Sequence, residues 1–285
     1  MSSCQATWSC CSSGRCPPLT ALLIYTHSPF ISYDSVSKNG SRLLNIRSLN
    51  DFRDDIKKNA LPQYAHVSPN MQNDGHDTGL KYATNWTRTF LKDLLDNKQF
   101  MEKTLILLTY DESETYSLPN HIVSVLLGGA VPDNLKGTKD DTLYSHYSIL
   151  STLENNWELP NLGRYDVGAN VFKLVADKTG YQNHASDDAA AVNNSLSYGG
   201  FLNSKPNKAL PIPPPNLNLV GAGGKGVADV VRNNWKLAAG DDTPYDGSGH
   251  LYDGGNGQGD TNAPVYKPQG PTHAGRSGSV RLDGS

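Results

Sequence analysis

The sequence predicts an α/β fold: a mostly parallel sheet with helices on both faces, followed by a low-complexity tail. Three observations carry that reading. Lys103-Thr104-Leu105-Ile106-Leu107-Leu108-Thr109-Tyr110 is a short continuous apolar run, the pattern of a strand covered on both faces. Helical periods lie before and after it, and alternating strands and helices pack as layers around one core. Beyond about Ala176 the apolar residues thin out and Gly, Pro, Asn and Asp take over.

The elements follow in order. Ser48 to Lys58 opens on a capping residue and early acids and closes on bases, which suits a helix and its dipole. Tyr64-Ala65-His66-Val67-Ser68 reads as a short strand halted by Pro69. A helix over Thr84 to Asn97 places Trp86, Phe90, Leu91, Leu94 and Leu95 on one face. The apolar run at 103–110 ends on Asp111-Glu112, and a further strand, His121 to Leu127, is stopped by Gly128-Gly129. A third helix spans Ser145 to Trp157 and is closed by Leu159-Pro160. From Gly180 onward, Pro211-Ile212-Pro213-Pro214-Pro215 and Gly221-Ala222-Gly223-Gly224 mark a tail that is largely irregular, with one helix at Val227 to Trp235. The expected organisation is a disordered Cys-containing leader over 1–26, a catalytic-domain segment over 27–180 and the tail over 181–285.

Composition excludes several classes. A net charge of -3 and scattered Lys and Arg give no basic field for a nucleic acid. No run approaches the roughly 20 apolar residues that span a bilayer. Cys4, Cys10, Cys11 and Cys16 all precede residue 17, without the paired spacing or the nearby His of a zinc site. Pro18 to Tyr25 is short and poorly flanked for a secretory signal. Asn39, Asn85 and Asn193 nevertheless head glycosylation sequons, which matter in a secreted protein. Oligomeric state is left open.

Ligands of open α/β sheets bind beyond the carboxyl ends of strands, which singles out Asp111 and Glu112. Neighbours in a strand point to opposite faces, so both reach one ion only if the chain leaves the pleat there. Ser113 and the polar residues after it supply such a departure; the alternative is a solvated Asp-Glu turn. The second cluster is Asn70 to Thr78, where Asp74 and Asp77 flank His76 beside a Gly turn. It either fixes an imidazole near an anion or caps its own backbone. His146, at the head of the third helix, either binds an anion or packs and caps. Gly223-Gly224-Lys225-Gly226 lacks both the spacing of a phosphate loop and a leading strand.

These stretches share an order. Pro69-Asn70-Met71 through Asn73-Asp74-Gly75-His76-Asp77 comes first, then Leu107-Leu108-Thr109-Tyr110-Asp111-Glu112, then Leu127-Gly128-Gly129-Ala130-Val131-Pro132. His146-Tyr147-Ser148 follows, with Asn156-Trp157, Leu159-Pro160 and Leu162-Gly163-Arg164. Together, over about Ser28 to Lys178, they resemble the secreted fungal acid phosphatases of the phosphoesterase family, which also contains bacterial phospholipases C. The resemblance implies an alkaline-phosphatase-like α/β sandwich, a divalent metal ion of unspecified identity, a phospho-Ser or phospho-Thr intermediate, a small phosphate monoester as substrate, and secretion. By position it makes Asp111 and Glu112 metal carboxylates and His76 a phosphate contact, with Asp74, Asp77 and His146 in support.

The relatives' upstream half carries a Glu-Asn ligand pair and the nucleophile, and nothing before Thr26 matches it, so an N-terminally truncated half-site is expected. Thr26-His27-Ser28-Pro29 fits the segment that runs into Tyr33-Asp34-Ser35 rather than a nucleophile loop. Glu154-Asn155 lies in the third helix, away from any strand end, and is set aside as the missing pair. The functional expectation is an acid phosphomonoesterase, with a phospholipase C-like phosphodiesterase as its variant. The alternative is a catalytically inactive, truncated glycoprotein domain.

Overall fold

The computed structural model describes residues 29–113, 120–184, 214–235, 243 and 245–249. The Cys-containing leader and the sequon at Asn193 lie outside the described residues. Those within 29–106 and 128–130 form one compact unit, and those within 107–127 and 131–249 form a second.

The first unit opens with a 3-10 turn at Pro29–Ser32, then the short helices α1 (Asp34–Ser37) and α2 (Gly40–Leu43), the latter capped where Asn39 Oδ1 accepts from Arg42 N at 3.1 Å. Helix α3 (Leu49–Lys57) forms where its caps predict. Ser48 Oγ accepts from Asp51 N at 3.1 Å while Asp51 Oδ2 accepts from Ser48 N at 3.0 Å, so two orphan amides at the helix start are satisfied reciprocally. The hydrogen bonds from Ser48 hold the Asp51 carboxyl below its ordinary pKa.

Helix α4 (Leu80–Leu95) begins four residues ahead of the predicted Thr84, because Gly79 turns the chain at φ 98° and lets Leu80 enter the helix directly. Its Trp86 and Phe90 rings stack at 5.0 Å between centroids, and Phe90 reaches Phe52 at 6.2 Å. Ala83 and Leu94 are its buried residues. Helix α5 (Lys98–Met101) follows at once. The strand expected at Tyr64 to Ser68 is not present: these residues join no ladder among the described residues. A strand needs a partner for its backbone groups, and the alternation of five side chains does not supply one.

The sheet is smaller than expected and differently built. Strands β1 (Ile106–Leu108) and β2 (Val125–Leu127) pair as a two-stranded sheet. Ala130 N donates to Thr104 O at 3.2 Å, and Thr109 Oγ1 lies 2.7 Å from Ser124 Oγ. Partner numbers thus fall as strand numbers rise, so the two strands run antiparallel. The mostly parallel sheet and the sandwich are therefore not what the described residues form, although helix and strand are mixed as an α/β reading requires. The apolar run is not covered on both faces as expected, since β1 is only half-buried, and such a run carries no information on strand direction, which the pairing fixes. Gly128 and Gly129 end β2 for a steric reason: a Cβ on either would collide with the carbonyl oxygens of Thr104 and Met101.

The second unit is held around α6 (Tyr147–Trp157) and α7 (Lys173–Thr179), which pack together. The face that α6 buries is polar: Ser148, Ser151, Thr152 and Glu154. Ser151 Oγ donates to Ala169 O at 2.8 Å, and Thr152 Oγ1 accepts from Phe172 N at 2.9 Å, so these hydroxyls tie down the segment leading into α7. Val171, Leu174, Val175 and Ala176 supply apolar core.

Part of the expected irregular tail packs here as well. Its described residues before α8 (Asp229–Trp235) form no helix or strand, yet Leu217, Val227 and Tyr245 are buried. Asn161, 0% exposed, is the staple: its Nδ2 donates to Leu219 O and Lys225 O, and its Oδ1 accepts from Gly163 N. Arg164 adds a second tie, donating to Tyr245 Oη at 2.7 Å with its guanidinium over the Tyr245 and Trp235 rings.

Glu154 and Asp166 meet inside this unit, 5% and 1% exposed. The Asp166 oxygens accept from Leu162 N at 2.5 Å and Arg164 N at 2.9 Å. Burial first, and then the charge and hydrogen bonding of Asp166, push the Glu154 carboxyl up to about 9. Among the described residues, no donor reaches the buried Glu154 Oε2. A proton on Glu154 turns the facing carboxyls into a donor and an acceptor.

Candidate functional site

Asp111 and Glu112 are exposed where the chain leaves β1. The chain does leave the pleat there. Asp111 Oδ1 accepts from Glu112 N at 3.0 Å, a local turn that the side chain itself stabilises. Two other side chains hold the Asp111 backbone carbonyl. Asn120 Nδ2 donates to Asp111 O at 3.0 Å, and His146 Nε2 lies 2.9 Å from it. A carbonyl only accepts, so this pairing puts a proton on His146 Nε2.

His146 therefore braces the strand end rather than capping α6, for which its side chain makes no hydrogen bond. Asn120 was not singled out from the sequence. Its acceptor and donor serve Ser113 N, at 2.8 Å, and the Asp111 carbonyl, seven and nine positions away. Such a bridge has no period, and its only sequence trace is an Asn beside Pro119.

In the first unit, the polar loop after Pro69 caps its own backbone. Asn70 Oδ1 accepts from Asn73 N at 3.0 Å, Asp74 Oδ1 from His76 N at 2.8 Å, and Thr78 Oγ1 donates to Gln72 O at 2.6 Å. Gly75, at φ 101°, makes the turn that presents His76 at the surface, where the ring and the Asp77 side chain are both exposed. The two sequence readings of this loop thus describe different residues: Asn70, Asp74 and Thr78 shape it, and His76 is displayed by it.

Asp111 and Glu112 supply the hard oxygen donors that a divalent cation prefers. They do not complete a site: among the described residues, no group of three or more His, Cys, Asp or Glu is placed to hold a metal ion. Glu154 and Asn155, set aside above as the missing ligand pair, make structural contacts. Glu154 is buried against Asp166, while Asn155 donates to Ala222 O and accepts from Thr179 Oγ1.

The Phosphoesterase family model matches residues 11–160, more than half of the chain. The chain belongs to the phosphoesterase family. Within it, the chain is 46% identical over 210 residues to a probable acid phosphatase of Kluyveromyces lactis, a match covering 74% of this chain and 49% of that protein. It is 45% identical over 210 residues to an acid phosphatase of Aspergillus fumigatus, covering 73% and 47%. With an acid phosphatase of Aspergillus niger the identity is 42% over 216 residues, covering 75% and 51%. This phosphoesterase chain spans about half the length of the curated relatives it matches. No solved structure matches it.

Proposed function

We propose that this chain contributes the carboxylate side of a phosphate-ester hydrolase site acting on small phosphate monoesters, as an acid phosphatase. The observation that carries the proposal is the end of β1, where Asp111 and Glu112 are displayed on a backbone held by Asn120 and His146. Family membership and the fungal acid phosphatases among its relatives support the same reading.

Phosphate esters hydrolyse with a very high uncatalysed barrier, so a catalyst must neutralise charge on the phosphoryl oxygens and align a nucleophile. In this proposal Asp111 and Glu112 are carboxylate ligands of a divalent ion and His76 contacts the phosphate. Asp74 and Asp77 shape and flank the His76 loop, and His146 fixes the strand end. A divalent ion bound there would supply charge neutralisation at the phosphoryl group. A phospho-Ser or phospho-Thr intermediate belongs to the proposal, with its nucleophile assigned to no described residue. Secretion belongs to it too, and the exposure of Asn39 and Asn85 is compatible with glycans there.

The experiment is phosphate release from an aryl phosphate at acid pH by the purified full chain, with and without added divalent cations. Turnover that depends on the cation and disappears in Asp111→Ala is the expected result. A folded wild-type chain that releases no phosphate with any cation would sink the proposal.

A further inference from the structure

We infer that Asn120 is a positioning residue whose side-chain amide braces the backbone on both sides of Glu112 and thereby sets the direction in which Asp111 and Glu112 leave β1. The inference rests on the reading of these carboxylates as part of a phosphate-ester site. Three facts carry it. The Asn120 carboxamide spends both ends on one turn, donating to Asp111 O at 3.0 Å and accepting from Ser113 N at 2.8 Å. The residue between those two groups is Glu112, itself joined to Asp111 through the amide-to-carboxylate bond. His146 Nε2 converges on the same carbonyl from the start of α6, so the strand end is held from two separate elements.

The chemistry of the side chain matters here. A carboxamide offers a donor and an acceptor on one short planar group, and few side chains match it. Asp supplies the acceptor without the donor, and Ala neither. The Asp111 and Glu112 side chains are themselves exposed, so little packing fixes their directions. With backbone rotation at 111–113 unrestrained, they would sample many orientations, and small misplacements of catalytic groups cost about a hundredfold in rate.

The test uses the full chain as wild type, Asn120→Ala and Asn120→Asp, read by amide hydrogen exchange and by phosphate release from an aryl phosphate. In Asn120→Ala the Ser113 amide should exchange at least about tenfold faster, with protection elsewhere and the melting temperature nearly unchanged. Asn120→Asp should keep the Ser113 amide protected, because it keeps that acceptor. Both variants should lose at least about tenfold in kcat with KM within about twofold, since ground-state binding is not what the brace supplies.

Unchanged exchange at Ser113 in Asn120→Ala would overturn the inference, as would faster exchange with full kcat. If Asn120→Ala loses protection throughout, the residue is a general stabiliser, and the inference is overturned unless Asn120→Asp keeps global protection while losing kcat. A wild type with no turnover removes the functional reading and the positioning role with it, whereas the exchange data report independently whether the brace forms.

Discussion

Replacing Glu154 by Gln removes a titrating group from the interior of the second unit while keeping a hydrogen donor facing Asp166. In the folded chain, burial and the neighbouring Asp166 push Glu154 from an ordinary 4.5 up to about 9. The unfolded chain therefore releases this proton above its ordinary value while the folded chain retains it. The associated stability is fully present below that value and is lost as pH rises, by about 1.4 kcal/mol per pH unit, until the folded carboxyl ionises. Between pH 5 and pH 7 the loss is at most about 3 kcal/mol, an upper bound because the two carboxyls are coupled.

The groups facing Glu154 are Asp166 and Tyr181, and burial together with the Glu154 charge raises the Tyr181 hydroxyl, so Tyr181 adds no proton change between pH 5 and 7. The assay is urea unfolding of wild type and Glu154→Gln at pH 5, 6, 7 and 8. The paired comparison cancels the other titrating groups. The variant should gain on the wild type as pH rises, by up to the figure above between pH 5 and 7. A difference in stability that stays flat over this range would refute the shared-proton account of the pair.

Asn161→Ala should destabilise the second unit by roughly 3 kcal/mol, because it leaves the Leu219 carbonyl and the Gly163 amide without their buried partner. A loss under about 1 kcal/mol in urea unfolding would show that water reaches the site. Gly128→Ala should cost about 3 kcal/mol, since the residue sits at φ 115° and its new Cβ meets the Thr104 carbonyl. A melting temperature equal to wild type would show that the end of β2 shifts freely.

What could be read from the sequence followed local rules. The capping residue and early acids at Ser48 to Lys58, the helix expected over 145–157 and present at 147–157, and the carboxylates after the apolar run are short-range features, and the structure has them. In α6 the large residues Tyr147, Leu150 and Trp157 are exposed while the buried face is Ser148, Ser151, Thr152 and Glu154. Ser151 and Thr152 are buried with partners at Ala169 and Phe172, and partners distant in sequence leave no period to detect. The same limit hid Asn120.

Sequence by itself determined which residues stand where β1 ends, the family to which their order belongs, and the loop chemistry that displays His76. Those properties depend on neighbours a few positions apart and on motif order. Only the tertiary structure decided that β1 and β2 run antiparallel, that Asn161 and Tyr245 bring tail residues into a core, and that Glu154 is a buried carboxyl beside Asp166. Direction of pairing, burial of a polar group and the charge it can hold depend on atoms close in space and far apart in the chain.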